Sequence, residues 1–144
     1  MTTTPPTDPR PTITRVLRDF FDAQFASMPP VRRERAVQIE HRLREFLEAE
    51  GERGLVTFDL VLLRTERQIS PTGAFSRLMH ADDLVVALPG FVADAWLPAD
   101  PVDRRLQVRL AGQLLDHVIG RALIDPGEMA CFVLEAEARI SQAR

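Results

Sequence analysis

Catalysis needs a nucleophile beside a base, a set of ligands for a metal, or a loop that cradles phosphate, and few side chains of this sequence could supply any of these. The three histidines, His41, His80 and His117, lie far apart, and none stands in a metal-ligand spacing such as His-x-x-x-His. A single cysteine, Cys131, adds no Cys-x-x-Cys pair. The four serines, Ser27, Ser70, Ser76 and Ser141, fall at turn, cap and polar positions, and none sits in a Gly-x-Ser-x-Gly elbow. The seven glycines are dispersed, so no phosphate-cradling loop is formed. Asp82-Asp83 could pass for a pair of catalytic carboxylates, but two acids at a helix start are better explained by the helix dipole. The expectation is a protein without catalytic residues, metal, cofactor or small-molecule substrate.

Three residue types are missing altogether: lysine, tyrosine and asparagine, so that all 18 basic residues are arginine. Their codons are AT-rich, and a GC-rich genome accounts for the bias. The chemical consequence holds whatever the cause, because Schiff-base lysines, P-loop lysines and tyrosine nucleophiles are excluded. The net charge of -3 gives no global attraction to nucleic acid or anionic lipid, so any such binding must be local. Cys131 lies among apolar neighbours (Met129-Ala130-Cys131-Phe132-Val133), which reads as a buried thiol in a reducing, cytoplasmic setting. No apolar run approaches the ~20 residues that span a bilayer, and residues 1–11 lack the apolar segment of a signal peptide.

The elements that would position these side chains follow from apolar spacing. With 45% apolar and 27% charged residues, the chain has the composition of an ordinary folded domain. Residues 1–11 read as a flexible leader and residues 12–144 as one helical domain. Ile13, Val16, Leu17, Phe20, Phe21 and Phe25 recur at three and four, predicting a helix that ends at Pro29-Pro30. A second helix from about Val31 to Glu50 carries a stripe of Ala36, Ile39, Leu43, Phe46 and Leu47, with Gly51 as its C-terminal cap. Leu55–Ile69 reads as a helix with Thr57 as N-cap, although Leu55–Leu63 alternates loosely enough for a strand. Short helices are expected from Ser70-Pro71 and from Asp82-Asp83, the latter broken by Pro89-Gly90 and resumed over Phe91–Leu97. Asp100-Pro101 opens a helix to about Leu123, and Asp125-Pro126-Gly127-Glu128 opens a last one to about Ser141. Over residues 131–140 a strand competes with that last helix. The sum is an all-α bundle of six or seven helices.

Two groups of side chains remain as candidate contact sites. On the helix after Pro101, Arg105, Arg109 and Gln113 follow one another at intervals of four, with Arg104 alongside, and arginine and glutamine on one helix face can reach phosphates and base edges. Arg33 and Arg44 on the second helix are further candidates, interleaved with glutamates in the manner of a solvated salt-bridge face. Phe20, Phe21, Phe25 and Trp96 could dock a protein partner or a second copy of the chain, or could fill the core.

The helix Glu34–Gly51 with its Ile39, Leu43, Phe46, Leu47 stripe, the segment Arg104-Arg105-Leu106 through Leu115, and the closing phrase Asp116–Gly127 (DHVIGRALIDPG) together resemble the N-terminal core-binding domain of tyrosine recombinases, the SAM-like helical module of phage integrases. The resemblance covers roughly residues 31–127. It implies an all-α, non-catalytic module that embraces double-stranded DNA as an accessory to recombination. Recombinases of that family cut DNA with a tyrosine and an arginine/histidine cluster on a separate domain, and this chain has no tyrosine with which to do so.

Overall fold

Helices form where the apolar spacing places them, and the computed structural model describes residues 9–144. Helix α1 (Ile13–Ala26) buries Ile13, Val16, Leu17, Phe20 and Phe21. Helix α2 (Pro30–Glu50) starts with proline in its first turn, where the missing N–H leaves no bond unmade, and buries the expected stripe of Ala36, Ile39, Leu43, Phe46 and Leu47. A 3-10 turn (Gly51–Gly54) leads to α3 (Thr57–Ile69), α4 (Ala74–Leu78), α5 (Ala81–Phe91), α6 (Pro101–Gly120) and α7 (Ala130–Ala143). The fold is all-α, with seven α-helices and no strand among the described residues. An isolated β-bridge joins Thr12 to His80, and Ile13 N–H donates to Met79 O (2.9 Å). The start of the helical domain is thereby fastened to the α4–α5 junction, and Arg10, near the end of the expected leader, pairs with Asp82 of α5 (3.6 Å); residues 1–8 of that leader lie outside the described ones.

Helix α6 is the centre of the bundle. It buries Leu106, Gln107, Val108, Leu110, Ala111, Gly112, Leu114, Leu115 and Val118, so most of its circumference faces other helices. Asp100 caps it, Oδ1 accepting from Val102 N–H (2.8 Å) and Asp103 N–H (3.1 Å). These backbone bonds, aided by Arg35, hold the Asp100 carboxyl below the usual carboxylate range. Arg35 of α2 reaches across to Asp103 (2.7 Å) and ties the two long helices together. Helix α7 lies against α5 and α6 through Val133, Ala136, Ile140 and Ala143, spaced three and four apart.

Several expectations need correction. Val56, not Thr57, occupies the N-cap of α3, and Thr57 is its first residue. Both segments that could have been strands, Leu55–Leu63 from Thr57 onward and residues 131–140, are helical. Helix α5 runs through Pro89 instead of breaking there, because proline near a helix end removes one bond to the preceding turn and the remaining bonds hold. Phe91–Leu97 then makes successive turns, with Ala93 N–H on Gly90 O (3.3 Å) and Trp96 N–H on Ala93 O (3.0 Å), rather than a resumed helix. At Asp125 a turn forms, its Oδ1 accepting from Gly127 N–H (2.8 Å), and the helix proper waits until Ala130. Cys131 is exposed, because the phase that buries Ala136 and Ile140 turns it outward.

Glu48 organises the smaller helices. Its carboxylate accepts the Phe75 and Ser76 N–H groups at the start of α4 (both 3.2 Å), and its carbonyl accepts from Arg67 of α3 (2.8 Å). Arg67 also pairs with Glu52 (3.2 Å). This junction seats the Phe75 ring directly on Gly51, where a Cβ would come within 2.5 Å of ring carbon Cζ. Gly51 has φ -60, so closeness of packing and not a left-handed backbone requires glycine there. Gly51→Ala should therefore destabilise the fold by about 1–3 kcal/mol through overpacking, and by less when Phe75 is shortened to leucine. Urea unfolding of the single and double variants measures both; an unchanged midpoint in Gly51→Ala would contradict this account of the contact.

Candidate functional site

The arginines of α6 project from the one strip of that helix that stays in solvent. Arg105 and Arg109 are exposed, one turn apart, between buried Leu106, Val108 and Leu110. On one side of them lies a cleft of about 1030 Å³, walled by the end of α5, α6 and the end of α7. Its apolar floor includes Val92, Leu97 and Val108, and its rim carries Arg104, Arg105, Arg109, Arg139 and Arg144. On the other side a groove of about 590 Å³ between α2 and α6 is lined by Arg32, Arg35, Arg105 and Arg109 over Val31, Val102 and Leu106. Seven of the 18 arginines thus border two adjoining depressions, and among the described residues Asp94 is the only acidic side chain lining either.

Two of these seven are partly neutralised. Arg104 pairs with Asp94 (3.1 Å) and Arg35 with Asp103 (2.7 Å). Arg32, Arg105, Arg109, Arg139 and Arg144 form no ion pair with a carboxylate among the described residues. A chain of net charge -3 therefore concentrates positive charge on one face, which is the local attraction its overall charge denies it.

A buried glutamine shapes the cleft. Gln107, with no solvent exposure, donates through Nε2 to Phe91 O (2.9 Å) and Trp96 O (2.9 Å). These two bonds fold the Phe91–Leu97 turns back onto α6 and so set the wall that bears Val92, Asp94 and Leu97. The other end of the α6 strip is different in character. Gln113 is half-buried and lines neither depression, and His117 lies edge-on to Phe20 at 5.5 Å. Burial, with Arg121 nearby, pushes the His117 imidazole below its usual value, against the opposing pull of Asp19.

Of the arginines picked out in the sequence, Arg104, Arg105 and Arg109 come together. Arg33 and Arg44 stand apart: Arg33 donates to Phe25 O (3.0 Å) and Met28 O (2.9 Å) at the end of α1, and Arg44 pairs with Glu40 (3.6 Å). Their place is taken by Arg32 and Arg35, on the flank of α2 that meets α6. Arg139 and Arg144 join the cleft only through the packing of α7, which no local spacing in the sequence announces.

The aromatic candidates are largely spent on the interior. Phe20 and Phe21 are 2% and 1% exposed and stack edge-on at 5.0 Å. Phe25 packs on Phe21 at 5.7 Å, and half-buried Trp96 stands edge-on to Phe46 at 5.2 Å. The apolar surface lies elsewhere, on α3, where Phe58, Val61, Leu62 and Ile69 are exposed. Their three-and-four spacing is present in the sequence, where Leu55–Ile69 reads as a helix without any indication of which face it exposes.

Among the described residues no group of three His, Cys, Asp or Glu side chains could hold a metal ion, and no helix is long and apolar enough to cross a membrane. Compared with protein-family models, with curated proteins and with solved structures, the chain matches none.

The depressed His117 value has a consequence for stability. Below about pH 6.5 the unfolded chain takes up a proton at this position that the folded chain resists, so stability falls as pH drops through that value and levels off below the folded one. His117→Gln should shrink the loss of melting temperature between about pH 7.5 and about pH 5.5. An unaltered loss in the variant would show that other groups govern this window.

Proposed function

We propose that this chain is a non-catalytic module that binds double-stranded DNA through the arginine face of α6, with the two flanking depressions receiving the phosphate backbone. The observation that carries the reading is the convergence of seven arginines from α2, α6 and α7 on two grooves that share Arg105 and Arg109. A single small anion would need one enclosed pocket. A surface that continues across two grooves, with five guanidinium groups unpaired among the described residues, suits a ligand that is itself extended and repetitively charged. Arginine also suits phosphate better than lysine does, since its planar fork meets two oxygens at once.

Each part of the surface has a role under this reading. Arg105 and Arg109 stand on the ridge between the grooves and meet phosphates on either side. Arg139 and Arg144 extend the contact along α7, and Arg32 along α2. Arg35 stays committed to Asp103 and holds the two helices at the distance that forms the groove. This surface supports the reading without recourse to the recombinase-like phrase of the sequence.

The test is fluorescence anisotropy with a short labelled duplex, titrated over a range of salt. Binding should be micromolar at low salt and weaken steeply as salt rises. Arg105→Ala with Arg109→Ala should lower the slope of log affinity against log salt by about two and weaken binding at least tenfold. Arg44→Ala, away from both grooves, should change neither. Absence of binding at low salt, or equal binding by the double variant, overturns the proposal.

A further inference from the structure

Helix α3 differs from its neighbours in which side it hides. Only Leu63 is fully buried, while Phe58, Val61, Leu62 and Ile69 are 71%, 57%, 46% and 79% exposed. With Thr65 among them they occupy successive positions on one face of the helix, and none is charged. The helix is nonetheless firmly placed. Arg67, on the opposite side, binds Glu48 O and Glu52, and Glu66, on the flank of the stripe, pairs with Arg77 of α4 (2.9 Å), so the helix is pinned to the bundle and the apolar face is held outward. Thr65 adds no penalty to covering that face, because its hydroxyl already donates to Val61 O (2.9 Å).

From this we infer that α3 is a self-association surface, on which two copies of the chain pair their α3 helices side by side and parallel about a two-fold axis running along them. The margins of the stripe decide for a second copy. Asp59 and Glu66 border it on one side, Arg64 and Gln68 on the other, and Arg64 has no ion-pair partner among the described residues. A two-fold axis along the helices lays the acidic margin of each copy against the Arg64 margin of the other. An axis across the helices would bring acid to acid, which is unfavourable. The four large side chains expose on the order of 500 Å² per copy, so a symmetric pair covers about 1,000 Å², the lower limit of a specific interface. An association in the micromolar range follows, and it is independent of any binding at the arginine face.

Sedimentation velocity and light scattering of the full chain should show a monomer–dimer equilibrium at micromolar concentration. Phe58→Ser with Ile69→Ser should abolish the dimer while leaving the melting temperature of the monomer unchanged, because both side chains are largely in solvent. Arg64→Glu should weaken the dimer by about fivefold, two symmetric surface pairs being lost. Orientation is read by disulfide trapping in a Cys131→Ser background. Parallel pairing gives cross-linked dimers from Phe58→Cys alone and from Ile69→Cys alone, whereas antiparallel pairing gives them only from a mixture of the two. A strict monomer at high concentration overturns the inference and leaves the face to a different protein. A dimer that survives the double serine substitution, or cross-links from the mixture only, overturns it as well.

Discussion

The burial of α6 is the constraint from which the rest of the molecule follows. A helix that hides nine residues among four neighbouring helices has only one strip left for solvent, and residues placed on that strip have no freedom of direction. Each large apolar side chain it buries is worth about 1.5–3 kcal/mol, so rotating the helix to redirect its arginines would cost far more than any surface interaction could return. Arg105 and Arg109 are thus held outward by the side chains they alternate with. The same burial recruits α7, whose Ala136 and Ile140 pack inward and whose Arg139 and Arg144 arrive at the cleft as a result.

A second, polar constraint operates where the apolar pattern gives out. Gln107 has no solvent and answers two carbonyls of the Phe91–Leu97 segment, which otherwise carries only local turn bonds. A bond from a residue so distant in sequence explains why this stretch, with apolar residues enough for a helix, does not form one. Glu48 does the same for the start of α4, whose five residues are too few to be stable alone. Both cases show side chains supplying the partners that short or irregular backbone cannot find within itself.

These two constraints mark what the sequence could tell. Long helices with strong periodicity, α1, α2 and α6, were legible nearly to their ends, since local spacing and the stop signals of proline and glycine determine them. The core stripe of α2 was legible residue by residue. Less legible were features decided by phase or by distant partners. Cys131 has apolar neighbours but the wrong angle, and α3 has the pattern of a core helix with its apolar face turned to solvent. Of the arginine surface, the part on α6 could be read from intervals of four, while Arg32, Arg35, Arg139 and Arg144 join it only when three helices meet.

The absence of lysine, noted first as a bias of composition, acquires a physical meaning once the arginines are seen together. A guanidinium group keeps its proton throughout the range of acidity in which proteins work, whereas an ammonium group in a crowded basic cleft would be pushed towards losing it. Seven guanidinium groups, two of them paired with Asp94 and Asp103, therefore form a face built without a single ammonium group. An extended anion bound there, as proposed above, would be displaced by competing counterions as the salt concentration rises.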